Sequence, residues 1–193
     1  MSSGGPQGPL LLASRSPQRR AILEQLGIAF CVLAVDVDEI AVGDPVEVAR
    51  TNALRKARAG ALKRPRTTVL GVDTVVALDG EIFGKPGSDE AALATLKRLS
   101  GRTHEVVSGL ALLRSDDPQV VHEVTEVAFR KLDDDVLRRY VATGEWRGRA
   151  GGYAIQGRGG GLVRAISGHY LNVVGLPVAA LLDLDSSLML RQD

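Results

Sequence analysis

Short apolar runs alternate with amphipathic stretches along this chain, a pattern that predicts strands and helices in turn. The run PLLLAS reads as a short buried strand, after which Ser16-Pro17 supplies an N-cap and a first-turn proline for a helix. Ile22, Leu23 and Leu26 keep helical spacing as far as Gly27, and residues 28–35 return to strand composition. Asp44-Pro45 repeats the cap signal for a helix ending near Gly60, on which Asn52 and Lys56 lie one turn apart on one face. The chain then becomes extended: TTVLGVDTVVAL, a turn at Asp79-Gly80 and EIFGKP together make a hairpin signature. Ser88 caps a third helix with Leu93, Leu96 and Leu99 as its inner stripe and Gly101 as its stop. THEVVSGLALLR and QVVHEVTEVAFR, on either side of SDDP, read as two long strands, the second with one wetted face. Asp133, Asp134 and Asp135 open a helix to about Thr143, and a strand over 162–166 and a helix from Pro177 close the chain.

No internal repeat or linker interrupts this order, so the expectation is one α/β domain with a mixed sheet over residues 9–193, after a disordered tail, MSSGGPQG, at 1–8. That tail lacks a basic n-region, and residues 10–13 are too short for a signal-peptide core. The longest mainly apolar stretch, 173–182, is interrupted by Gly175 and Pro177 and falls well short of the ~20 residues of a membrane helix. A cytoplasmic protein with no membrane partner is expected. Lys and Arg total 24 against 23 Asp and Glu, so the formal charge of +1 excludes a broad electrostatic footprint for duplex nucleic acid. With aromatic residues at 4% there is no stacking platform for a single strand either, and any phosphate chemistry must be local. The single Cys31, in the apolar run FCVLAV, excludes an internal disulfide and is expected to be buried.

The candidate chemistry is scattered along the chain. SRSPQRR places two hydroxyls, backbone N–H groups at a helix start, Arg19 and Arg20 where an anion cradle would need them, although caps and surface arginines explain the same residues. Asp73 stands among valines in a core strand, where a carboxylate is costly unless a cation or donor satisfies it. Asp36, Asp38 and Glu39 follow an earlier strand, and oxygen ligands near phosphate suit Mg²⁺. Lys85, held before Pro86, and Lys56 on its helix face are two anchored cations of the kind metal-assisted phosphoryl chemistry uses. Ten of the 22 glycines lie between Gly144 and Gly175, giving a backbone that turns tightly and comes close to a ligand. The P-loop and dinucleotide fingerprints are absent, and His104, His122 and His169 show no metal-ligand spacing.

Taken together, LASRSPQRR, VDVDE, KARA, VLGVDTVV, GKP, LSGRTHEV, AGGYAIQG and NVVGLP resemble, in order, the motifs of the Maf family of septum-formation-inhibitor-like nucleoside triphosphate pyrophosphatases. The resemblance covers nearly the whole chain. It implies an inosine-triphosphatase-like α/β fold, an elongated mixed sheet flanked by helices with two lobes around a cleft, and usually a homodimer. It also implies hydrolysis of a nucleoside triphosphate to monophosphate and pyrophosphate. By matching motif positions, Ser14, Ser16 and Arg19 would hold phosphate, Glu39 and Asp73 would serve a divalent metal and the water, and Lys56 and Lys85 would neutralise the triphosphate. Mg²⁺ is the expected cofactor, with Mn²⁺ as the alternative, and Asp73 matches the family's proton acceptor.

Base choice is implied by three further positions. Thr74 and Gln156 resemble the dTTP/UTP-hydrolysing branch, whereas the 7-methyl-GTP branch has Gln and Glu there; Gln18 replaces the Arg of the first and the Trp of the second. Gln18 thus removes a cation without adding a stacking surface, which points to broader or shifted specificity, modified nucleotides included. A glutamine amide at 156 can pair with the O4/N3 edge of uracil or thymine. Arg15, Arg149 and His169 are smaller departures from the family pattern. The competing expectation is a nucleotide-binding regulator of septum formation that binds triphosphate without turnover.

Overall fold

The computed structural model describes residues 9–114 and 117–189; the tail expected at 1–8 and the first half of SDDP lie outside them. The elements follow the alternating pattern: β1 (Leu10–Leu12), α1 (Pro17–Gln25), β2 (Phe30–Val32), α2 (Pro45–Lys63), β3 (Val69–Leu78), β4 (Glu81–Phe83), α3 (Asp89–Leu99), β5 (Thr103–Arg114), β6 (Asp117–Phe129), α4 (Asp134–Ala142), β7 (Val163–Ser167), α5 (Tyr170–Val174) and α6 (Val178–Leu184). Local chemistry sets the helix starts. Ser16, Asp44, Ser88 and Asp133 each accept a backbone N–H of the first turn, and Pro17 and Pro45 sit at the first helical position, where no donor is missed.

The strands join in the order β2-β1-β3-β5-β6-β7, with β4 on β3; β2, β1 and β3 are parallel and the remaining pairs antiparallel, so the sheet is mixed. Strand periodicity divides β3 between two faces. Asp73 points to the side covered by α2, and Leu70, Val72, Thr74, Val76 and Leu78 point to the other. On that second face Leu70 and Val72 join Leu110 and Leu112 of β5 under α1 and α6, whereas Val76 and Leu78 join Val106 under α3 and α4. Between the two apolar clusters stand Thr74 and Ser108, their hydroxyls 2.9 Å apart. These are the two lobes, and the cleft opens where the hydroxyls interrupt the apolar pattern.

On the opposite face α2 lies directly on the sheet. A side chain at Gly71 would run into the backbone carbonyl of Ala53, and one at Gly109 into that of Ala49, so both positions must be glycine for the helix to come this close. Ala49, Ala53 and Ala57 form the contacting stripe of α2. Gly60 is not the end of this helix, as its spacing suggested: it is buried, facing Val69 and Ala13, and α2 continues to Lys63.

Other expectations change at the sheet edge and near the C-terminus. The strand composition of residues 28–35 yields only a three-residue edge strand, and Cys31 is exposed, not buried. The reason is position: β2 is the outermost strand on that side of the sheet, whereas α2 packs chiefly on β3 and β5. Leu93 is half-buried, and Ala92 completes the inner stripe of α3 with Leu96 and Leu99. The five-residue α5 was not expected from the pattern. No helix among the described residues is long and apolar enough to cross a membrane.

The close approach of α2 has a measurable consequence. Gly109→Ala is expected to cost roughly 1–3 kcal/mol through overpacking and to lower the thermal midpoint by about 2–4 °C per kcal/mol, measured by calorimetry and urea unfolding. Gly80→Ala, at a turn with open space around it but positive φ, is the comparison, because it strains the backbone without touching the helix.

Candidate active site

The edge of β3 is covered unevenly. β1 pairs with it at Val69 and Leu70, β4 pairs from Val76, and residues 71–75 are left without a strand on that side. Asp73 and Thr74 sit in this gap. Around it lies a cleft of about 650 Å³, within the usual range for small-molecule sites. Ten of the residues singled out from the sequence line it: Ser14, Ser16, Gln18, Arg19, Glu39, Lys56, Asp73, Thr74, Lys85 and Gln156.

At the acidic end, Lys56 Nζ lies 2.7 Å from Asp73 Oδ1 and 2.7 Å from Glu39 Oε1. Asn52, one turn back along α2, donates to Asp73 Oδ2 at 2.9 Å. The buried carboxylate therefore has the cation and donor that its position in a core strand demands. Two of the three ammonium donors of Lys56 are spent on carboxylates, which differs from a role in charge neutralisation of phosphate alone. Of the acids in this loop, only Glu39 comes to the cleft. Asp36 is exposed beside Arg15 at 3.7 Å, and the Asp38 carbonyl accepts from Arg55.

Glu39 and Asp73 converge on one cationic point, while each carboxylate keeps unused lone pairs. Among the described residues no group of three or more His, Cys, Asp or Glu side chains is arranged to hold a metal. Two carboxylates without a closed cage fit a magnesium-like ion that takes its other ligands from water and substrate oxygens.

At the other end the β1–α1 junction gathers Arg19. Its Nε donates to the Gly175 carbonyl at 2.8 Å, Nη1 to Ser14 Oγ at 3.2 Å and Nη2 to Thr74 Oγ1 at 3.1 Å. These partners are uncharged, the residue is 8% exposed, and burial pushes its pKa down against the opposing pull of Asp73 and Glu39. A buried guanidinium with neutral partners favours an anion, and two of its five N–H groups remain to meet one. Arg20, expected beside it in the cradle, instead turns outward and pairs with Glu24 at 2.7 Å, because neighbouring helical positions face different directions. Ser16 caps α1 and donates to Gln18 Oε1 at 3.1 Å. Thr74 has its hydroxyl engaged by Arg19 and Ser108.

The third wall is the glycine-rich segment. Lys85 is exposed on the cleft, and Gly148, Arg149, Ala150, Tyr153 and Gln156 follow it. Tyr153 is held from behind: its hydroxyl is 2.8 Å from His104 Nε2, and the two rings meet edge to face with Phe129. Asn52, Arg149 and Tyr153 are site residues that sequence spacing did not assign. Asn52 had one available signal, its i, i+4 relation to Lys56.

Comparison with known proteins gives a consistent picture. The family model described as "Maf-like protein" matches residues 9–187. A dTTP/UTP pyrophosphatase of Symbiobacterium thermophilum is 49% identical over 171 residues, 88% of each chain. Those of Pelotomaculum thermopropionicum and Pyrococcus furiosus are 45% and 46% identical over 91% of this chain and 94% and 93% of theirs.

The His104–Tyr153 contact carries a pH prediction. Desolvation lowers the His104 pKa from 6.5 to about 4, so the unfolded chain binds the proton more readily. Stability is expected to be present above pH 6.5 and to fall as pH is lowered toward 4, by about 3 kcal/mol at the limit. Urea unfolding between pH 7 and pH 4 should show a shallower fall for His104→Gln; an identical slope in both proteins assigns the dependence elsewhere.

Proposed function

The chain belongs to the Maf family, and on that premise we propose that it hydrolyses dTTP and UTP to the nucleoside monophosphate and pyrophosphate, with Asp73 handling the attacking water. The observation that carries this reading is the pairing of a buried carboxylate, held by Lys56 and Asn52, with a buried Arg19 whose hydrogen-bond partners among the described residues are uncharged, in the same cleft. One group suits a water and the other a phosphate oxygen.

In this mechanism Asp73 orients and deprotonates a water that attacks the α-phosphorus. A bond forms between the water oxygen and phosphorus, the bond from phosphorus to the bridging oxygen breaks, and pyrophosphate departs with that oxygen. Glu39 and Asp73 would hold Mg²⁺, or Mn²⁺ in its place, and when bound such an ion screens the phosphate charge. Arg19, with Ser14 as a further donor, meets the triphosphate from the α1 side, and Lys85 meets it from the opposite wall. Lys56 keeps the two carboxylates together and has one N–H left for a phosphate oxygen. Charge that develops on the leaving group is thus faced by groups already in place.

Gln156 is the base contact in this reading, its amide donating to O4 and accepting from N3–H of the pyrimidine. Gln18 faces the same cleft with its carbonyl oxygen engaged by Ser16, which leaves its amide N–H groups for substrate. The enzyme acts in the cytoplasm on the nucleotide pool, where an exposed free Cys31 meets reducing conditions. A homodimer, as the resemblance implies, has open sheet edges at β2 and β7 available to it.

Release of pyrophosphate and monophosphate from a panel of triphosphates with Mg²⁺ tests the assignment. Asp73→Asn is expected to lower turnover of dTTP and UTP by about 10²–10⁴, the usual scale for a lost general base. Saturable nucleotide binding without turnover in the wild type would instead make the protein a sensor of nucleotide. Gln156→Glu, which replaces a donor with a second acceptor, should raise KM for dTTP and UTP more than it lowers kcat. An unchanged ratio of kcat/KM between pyrimidine and purine triphosphates in that variant would remove Gln156 from base recognition.

A further inference from the structure

Among the inward-facing alanines of α2, Asn52 is 1% exposed and makes three hydrogen bonds. Its Oδ1 accepts from the Ile40 N–H at 2.8 Å; its Nδ2 donates to the Ile40 carbonyl at 2.9 Å and to Asp73 Oδ2 at 2.9 Å. Both amide protons are thereby used, and the Ile40 N–H fixes which way the amide faces, since only its oxygen can accept. With Ile40 it reproduces the paired exchange of N–H and C=O found between antiparallel strands, on a loop segment that has no strand partner.

Ile40 follows Glu39 directly. The ion pair from Lys56 to Glu39 joins two long side chains, one of them 46% exposed, and such a pair does little to fix a backbone. The two bonds from Asn52 act on the backbone itself. The same amide holds the Asp73 oxygen that Lys56 does not, since Lys56 takes Oδ1 and Asn52 takes Oδ2.

We propose that Asn52 is a positioning residue for the reaction: one buried amide sets the orientation of the Asp73 carboxylate and anchors the acidic loop at Ile40, so that Glu39 stays opposite Asp73. This rests on the roles given above to Asp73 and Glu39. It assigns to a side chain whose two amide protons are both taken by protein acceptors the task of keeping two carboxylates, from separate parts of the chain, at one spacing. Partners of this kind behind metal-binding carboxylates and histidines typically matter by 10–100-fold.

The test compares Asn52→Leu, Asn52→Asp and Asp73→Asn with the full-length wild type. Amide hydrogen exchange is followed in nucleotide-free protein, and kcat, KM for dTTP and half-saturating Mg²⁺ are measured by pyrophosphate release. Asn52→Leu fills the space without hydrogen bonds. It should lose protection at Ile40 by about tenfold or more, lower kcat by roughly 10–100-fold and raise half-saturating Mg²⁺, with KM for dTTP within about threefold of wild type. Asn52→Asp keeps the acceptor for the Ile40 N–H and loses both donors, so it should retain much of the protection at Ile40 while losing kcat. A merely structural role would move stability and spare that split. Should Asn52→Leu not fold, Ile40→Pro removes the same loop N–H from the opposite partner and should lower kcat and raise half-saturating Mg²⁺ in the same direction. If Asp73→Asn is inactive while both Asn52 variants keep kcat and Mg²⁺ dependence within about threefold of wild type, the assignment of Asn52 is overturned and that of Asp73 stands. If Asp73→Asn retains turnover, the catalytic reading itself falls, and with it the positioning role built on it.

Discussion

A carboxylate buried in the middle of a sheet must be answered at once by a cation and a donor, and Asp73 receives both from a single helix. That requirement reaches outward through the molecule. Lys56 and Asn52 deliver their polar atoms only because α2 lies on β3 and β5 without a spacer layer, and it does so because Gly71 and Gly109 leave room for its backbone. The same contact brings the acidic loop in, since Glu39 and Ile40 find their partners on the helix face that meets Asp73. The glycines, the alanine stripe and the carboxylates are therefore one arrangement viewed at different distances from the chemistry.

The opposite face of the sheet follows a second logic. Apolar residues fill both ends of β3 and β5, and the Thr74–Ser108 hydroxyl pair falls between the two clusters. Arg19 takes advantage of that interruption: Thr74, Ser14 and the Gly175 carbonyl hold its guanidinium where a wholly apolar strand would have excluded it. Because β1 ends early and β4 begins late, the gap in the edge of β3 lets both faces contribute to one cleft. A carboxylate from one side and a guanidinium from the other thus meet the same space.

Much of this was legible in the sequence because much of it is local. Ser16, Asp44, Ser88 and Asp133 act within their own first turns, and the Asp79-Gly80 turn acts between adjacent strands, so residue order suffices to find them. Asp73 announces itself as a charge among valines, and the ordered motifs group it with Lys56, Lys85 and Arg19. What escaped depends on coverage and distance. Cys31 has apolar neighbours in sequence, but its strand lies at the outer edge of the sheet. Gly60 carries the signal of a helix end, whereas its bare face serves packing against Val69. Arg20 shares a motif with Arg19 and faces away from it, a matter of helical angle. Asn52 is ordinary in sequence and acquires meaning only when the loop at Ile40 and the strand at Asp73 arrive beside it.

The two lobes are not separate bodies on a tether. β3 and β5 run unbroken through both, paired in continuous register from Val69 with Leu113 to Ala77 with Glu105, so each lobe is an end of the same ribbons. Drawing the walls together would mean bending or tearing a ladder of backbone hydrogen bonds at its centre. The spacing of the two lobes at the sheet is therefore held by the register of these two ribbons.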